Sequence, residues 1–155
     1  MTEYKIAHTR QEFAAGKKLF QEYADSLGFD LSFQGFATEL VTLDKQYNTP
    51  EGALLIAYID QIPAGCIGVR KSTPGIAELK RMYVSPRYRG LQIGKSLLEQ
   101  ALHIAKELGY EKIRLDTIPS MAKALELYQK FGFYPIPPYR MNPSEDAIFL
   151  EILLT

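Results

Sequence analysis

Apolar residues recur at intervals of three and four in the stretch from Gly94 to Leu108. Leu97, Leu98, Ala101, Ala105 and Leu108 fall on one side, and Lys95, Glu99, His103, Lys106 and Glu107 on the other. This is the period of an amphipathic helix with one buried stripe and one wet face. The pattern predicts a helix from near Gln92 to near Leu108, closed by Gly109, because a left-handed cap costs glycine little. Just before it, Ile76 to Val84 is rich in extended formers. Ser85-Pro86 ends that strand, since proline has no amide hydrogen for a ladder.

Outside this unit the pattern alternates between short strands and shorter helices. Tyr4 to Thr9 reads as a strand and Arg10 to Leu27 as a helix, with Phe13, Leu19, Phe20 and Tyr23 apolar and Gly28 closing it. Asp30 to Leu43 reads as a second, shorter helix with an aromatic-rich entry. Asp44 to Gly52 is polar and carries Asn48, Pro50 and Gly52, the residues of a loop. Ala53 to Ile59 and Ile62 to Arg70 form a hairpin across Asp60-Gln61, and Thr73-Pro74-Gly75 turns the chain into Ile76 to Val84.

Lys112 to Thr117 alternates as a strand should, and a strand, helix, strand unit implies parallel pairing with Ile76 to Val84. A helix from Met121 to Lys130, stopped by Gly132, carries Met121, Ala124, Leu125, Tyr128 and Phe131 on one face. A short strand from Phe133 to Ile136, a proline-rich bend and a last strand from Ala147 to Leu154 complete the chain. The expected fold class is α/β (α+β): one domain over residues 1–155, with a mixed, mostly antiparallel sheet and helices on both faces.

Composition narrows the function. A chain of 155 residues is the size of one domain with a substantial core. With 18 basic and 18 acidic residues its formal net charge is zero. No general field therefore draws it to nucleic acid or an anionic membrane, and neither is an expected partner. No apolar run is long enough to span a bilayer, and the polar N-terminus does not resemble a signal peptide. Cys66 is the only cysteine, which excludes an internal disulfide and fits a reducing, cytoplasmic setting. It reads as a small strand residue rather than a nucleophile. The two histidines form no ligand spacing, and no metal site is expected.

The chemistry begins at the start of the long helix. Arg87, Arg89 and Gly90 precede it, so free amides, the positive end of the helix dipole and two guanidinium groups converge where an anion such as a pyrophosphate would sit. Gly90 and Gly94 let a ligand approach the backbone; they are equally explained by a turn and by tight helix packing. The run Arg89-Gly90-Leu91-Gln92-Ile93-Gly94 resembles the acyl-CoA pyrophosphate loop of the GCN5-related N-acetyltransferases (GNAT), Q/R-x-x-G-x-G/A, with Gln92 in place of the middle glycine. A second stretch, SMAKALELYQKFGFYPI, resembles that family's other block, A-x-x-L-Y-x-x-x-G-F, here Ala124, Leu127, Tyr128, Gly132 and Phe133. The two blocks stand in the family's order, and the resemblance covers nearly the whole chain.

The resemblance implies the fold's details and the residues' roles. The strands ending at Val84 and Thr117 would be a central parallel pair splayed around the pantetheine arm of acetyl-CoA, the implied cofactor. Met82, Tyr83 and Val84 would line that arm through the backbone, and Arg87, Arg89, Gly90, Leu91, Gln92, Ile93, Gly94 and Lys95 would hold the pyrophosphate. Tyr128 would sit near the thioester sulfur as a proton donor, since a phenol of pKa about 10 stays protonated at neutral pH; periodicity alone reads it as a core aromatic. Glu78 is the candidate base acting through water, against a solvated carboxylate paired with Lys80 or Arg70, and Asp116 is a lesser substitute. Ser120 stands where relatives contact the cofactor, and is also a good N-cap.

Phe33, Gln34 and Phe36, with Tyr139 and Arg140 from the bend, are the candidate acceptor pocket. Arg140 would suit an acceptor carboxylate or be a surface arginine. The implied activity is transfer of an acyl group, in the first instance acetyl, from CoA to a primary amine of a small molecule or peptide, by direct attack in a ternary complex. A noncatalytic acyl-CoA-binding module is the alternative. A nucleotide-binding domain fits less well, because the loop lacks the lysine and serine or threonine of a Walker sequence. The acceptor and the oligomeric state, a homodimer included, stay open.

Overall fold

The computed structural model describes residues 1–27, 35–142 and 144–155. Its elements in chain order are β1 (Thr2–Ile6), α1 (Arg10–Ser26), α2 (Phe36–Val41), α3 (Leu43–Gln46), β2 (Ala53–Ile59), β3 (Ile62–Thr73), β4 (Ile76–Val84), a 3-10 turn (Pro86–Tyr88), α4 (Ile93–Glu107), β5 (Lys112–Thr117), α5 (Ala122–Phe131), β6 (Tyr134–Pro135) and β7 (Ile148–Leu153). The strands make one sheet in the order β1-β2-β3-β4-β5-β7-β6. Every neighbouring pair is antiparallel except β4 and β5. The fold is the mixed, mostly antiparallel α/β sheet that the alternating segments imply.

Both faces of the central strands are covered, which is why β2 reads as an unbroken apolar run. Leu55, Ala57, Ile67, Val69, Leu79 and Ile113 pack with Leu97, Leu98, Ala101 and Ala105 of α4. Leu54, Ile56 and Cys66 point the other way, toward Phe13, Leu19 and Phe20 of α1 and toward Tyr47. A Cβ at Gly16 would lie 2.3 Å from Leu54 Cδ2, so α1 approaches the sheet too closely for any larger residue. Each fully buried leucine of the α4 stripe contributes about 1.5–3 kcal/mol of apolar burial.

The boundaries shift from the sequence reading for local reasons. The first strand ends at Ile6 because Thr9 caps α1: its hydroxyl accepts from Glu12 N at 3.1 Å, and Glu12 Oε1 accepts from Thr9 N at 3.0 Å. Of the helix expected from Asp30 to Leu43, residues 30–34 lie outside the described residues, and the rest forms α2 and the first residue of α3. The chain leaves helical geometry at Thr42 (φ −113°), whose hydroxyl donates to Thr38 O at 2.7 Å. The segment expected as an open loop from Asp44 therefore begins with most of α3. At the hairpin tip, Asp60 and Gln61 take φ of 49° and 69°, the left-handed pair a two-residue turn requires.

The site-forming feature is the incomplete pairing of β4 and β5. They are bridged only at Ile76/Lys112, Ala77/Ile113 and Glu78/Arg114. Beyond Glu78, β4 continues to Val84 paired with β3 alone, through an irregular register at which Arg81 takes φ 58°. The two strands part there.

Candidate active site

The turn into α4 is an open, backbone-built anion cradle. Gly90 (φ 88°) and Gln92 (φ 64°) both adopt left-handed geometry, and Gln92 is the N-cap with no side chain bonded to the helix amides. The first amides of a fifteen-residue helix thus face outward. A methyl at Gly94 would meet only Val84 Cγ2, at 3.9 Å, so helix packing does not demand a glycine there. The space before it suits a ligand, and the cradle fits a pyrophosphate. Gln92, which stands where the family's pattern has its middle glycine, takes left-handed geometry with φ 64°.

Around this cradle Arg87, Arg89, Leu91 and Lys95 are exposed, while Ile93 is anchored in the core. Arg89 folds back: its Nε donates to Val84 O at 3.0 Å and its guanidinium lies over the Tyr83 ring. Arg87 lies over Tyr88. Tyr83 turns its ring to the α1 face, edge-on to Tyr23, so only its backbone lies along the widened edge. Ser120 is exposed and does not cap α5, whose N-cap is Met121 without a side-chain bond.

Where β4 and β5 part, a narrow cleft of about 30 Å³ is lined by Lys80, Arg81, Met82, Asp116, Met121 and Tyr128, with Tyr23 at its side. Tyr128 is buried and packs on Phe133, with ring centroids 5.5 Å apart. It is both a core aromatic and a wall of the cleft. Burial, with Tyr23 and Asp116 close by, pushes its hydroxyl well above the ordinary tyrosine value, so it holds its proton.

On the far side of β4 the side chains do the building. Glu78 is 3% exposed, not solvated. Its Oε1 accepts from Arg70 Nε at 3.1 Å and its Oε2 from Tyr139 hydroxyl at 3.0 Å, and Arg140 pairs with Oε2 as well. Arg70 also donates to Gln46 Oε1 at 2.8 Å. Tyr139 stacks under the Arg114 guanidinium, 4.0 Å from its ring centroid. Asp116 accepts from Asn142 Nδ2 at 3.1 Å. Of the proposed acceptor residues, Phe36 lies under Arg81 and Tyr139 and Arg140 meet Glu78. Phe33 and Gln34 lie outside the described residues.

The family model described as acetyltransferase (GNAT) family matches residues 17–133. The chain belongs to that family. It is 36% identical to an N-acetyltransferase of Schizosaccharomyces pombe over 88% of this chain and 85% of that one. It is 30% identical to an N-acetyltransferase of Dictyostelium discoideum over 97% and 98% of the two chains. A crystal structure of a GNAT-family acetyltransferase from Staphylococcus aureus superimposes with a TM-score of 0.81 over the full length of both chains at 22% identity. The protein is therefore a GNAT N-acetyltransferase. Both sequence blocks read as the family's, Arg89–Gly94 and Ala124–Phe133, fall within the matched span.

Four groups at or beside this cleft had escaped the sequence reading as site residues. Arg81 and Glu39, 3% and 2% exposed, form a bidentate pair at 3.1 and 2.8 Å, and Tyr47 hydroxyl donates to Glu39 Oε2 at 2.8 Å. Burial alone would raise the Glu39 carboxyl, but Arg81 outweighs it and holds the carboxyl below its usual range. Lys80 is 5% exposed. Burial, and the charges of Arg81 and Arg70, lower it to about 7, against the opposing pull of Asp116 and Glu39. The signal was present: Lys80-Arg81 is a charged pair inside an apolar strand.

Proposed function

We propose that this chain transfers an acetyl group from acetyl-CoA to a primary amine of a small molecule or peptide, by direct attack within a ternary complex formed on one domain. The observation that carries this reading is the alignment along β4 of the open α4 cradle, the widened edge and the cleft at Tyr128. Acetyl-CoA, when bound, supplies an acyl carbonyl activated by its thiol leaving group. The amides of Ile93, Gly94 and Lys95 would hold its diphosphate, with Arg87 and Arg89 screening the charge, and the backbone of Met82 and Val84 would line its arm. Tyr128 carries a proton to the departing sulfur. Burial keeps its hydroxyl protonated until a basic thiolate is released beside it.

An amine of pKa about 10 arrives protonated and must lose that proton before it attacks. Glu78, through water, is one destination. Its two oxygens, however, already accept from Arg70, Tyr139 and Arg140. Lys80 lines the same cleft as Tyr128, and burial, with the charges of Arg81 and Arg70, lowers it to about 7. Lys80 is the base favoured here, with Glu78 fixing the wall beside it.

Thiol release from acetyl-CoA across a panel of amines tests the assignment. An acceptor-dependent rate that falls in Tyr128→Phe supports it. Tight CoA binding with no amine turned over would instead make the chain a noncatalytic acyl-CoA-binding module.

A further inference from the structure

The acceptor side of the cleft carries more positive charge than its carboxylates balance. Arg70 comes from β3, Glu78 from β4 and Arg140 from the bend before β7, and all three meet on one wall of an open pocket of about 490 Å³, a volume in the range of small-molecule sites. Two guanidinium groups there share the single carboxylate of Glu78. Among the described residues, Glu39 is paired with Arg81 and Glu51 with Lys71 at 3.1 Å. Lys45 lines the same pocket and adds a further cation.

Two cations from different parts of the chain feel the charge of Arg70. Arg140 is lowered to about 10, first by burial and then by the charge of Arg70. Lys80, two residues along β4 from Glu78, is lowered to about 7 by burial and by Arg81 and Arg70. The charge of Arg70 contributes to both. An acceptor that brought only an ammonium would be repelled here. One that also brought an anion would supply the missing counter-charge, and the planar forks of Arg70 and Arg140 are shaped for a carboxylate.

We infer that the acceptor is an amine bearing a carboxylate, a free amino acid in the simplest case, whose carboxylate is held by Arg70 and Arg140 in the pocket beside Glu78. This rests on the reading that the chain acylates an amine, and it adds the class of amine. The pocket selects by charge: polyamines and simple alkylamines are poor acceptors.

The test compares amino acids with their decarboxylated twins: lysine with cadaverine, ornithine with putrescine, alanine with ethylamine. A short peptide with a blocked C-terminus forms a further arm that separates free amino acids from peptide N-termini. The expected result is a kcat/KM at least about tenfold higher for each carboxylate-bearing member, the scale of one charge-assisted contact. Arg140→Gln should collapse that ratio toward one while CoA affinity is kept, because Glu78 still has Arg70 and Tyr139. Decarboxylated amines turned over as well as their twins would overturn the inference and leave the transferase reading intact, as would a ratio unchanged in Arg140→Gln. Turnover of the blocked peptide in preference to free amino acids would also overturn it.

Calorimetric titration with glutarate, which has no amine, gives a readout that needs no turnover. Binding that is lost in Arg140→Gln supports the pocket; absence of binding to the wild-type chain overturns it. If no amine in the panel releases thiol and CoA does not bind, the transferase reading itself fails.

Discussion

The two ends of the cleft along β4 are built on opposite principles. At the α4 end the binding groups are backbone amides presented by two left-handed residues, and the arginines around them are exposed. At the Glu78 end nearly every polar group is a side chain, buried and already bonded to another side chain from a distant part of the chain. An amide cradle can hold any diphosphate and tolerates changes in the side chains around it. A buried ionic wall can discriminate between acceptors, but each member depends on the others.

That contrast predicts the size of mutational effects. The largest belongs to the buried wall: Glu39→Ala leaves the Arg81 guanidinium buried without its partner and should cost about 3–5 kcal/mol in urea unfolding. Glu39→Gln should cost less, because it keeps a hydrogen-bonding acceptor. Next comes Tyr128→Phe, which preserves the packing on Phe133 but removes the proton donor; kcat should fall about a hundredfold with CoA affinity unchanged, as read by thiol release and CoA titration.

The third prediction concerns pH. With Lys80 as base, kcat/KM should rise as pH increases to about 7 and then level, since only the neutral amine accepts a proton. In Lys80→Met that inflection should vanish. If it persists there and disappears in Glu78→Gln, the carboxylate is the base. The linked effect on stability has a defined sign. A lysine lowered in the folded state binds fewer protons there than when unfolded, so stability rises with pH between about 7 and the ordinary lysine value of about 10.4. The smallest effect belongs to the exposed end: Arg87→Ala should weaken CoA binding only about two- to threefold, and less at high salt.

The same contrast explains what could be read from the residues alone. Strand and helix periods were strong wherever one or both faces are buried, as in β2 and α4, and the cofactor turn is contiguous from Arg87 to Lys95, so it was visible as one run. Tyr128 was singled out only by resemblance, since its helical period alone favours the core, and it is found buried against Phe133 while also lining the cleft. The acceptor wall joins Glu39 to Arg81 across 42 residues and Glu78 to Tyr139 across 61, and no local pattern encodes such pairs. The partial exception was Arg70 with Glu78, cross-strand partners in a hairpin whose turn fixes the register. The break between α2 and α3 was missed because Thr42 interrupts an otherwise continuous apolar period through its own hydroxyl.

Amide NMR of the chain titrated with coenzyme A would decide whether the uncapped turn of α4 grips the diphosphate. The amides of Ile93, Gly94 and Lys95, followed by those along β4 from Leu79 to Val84, should shift together and saturate at one stoichiometric equivalent. Saturating shifts confined to other parts of the chain, with these amides unmoved, would contradict the site.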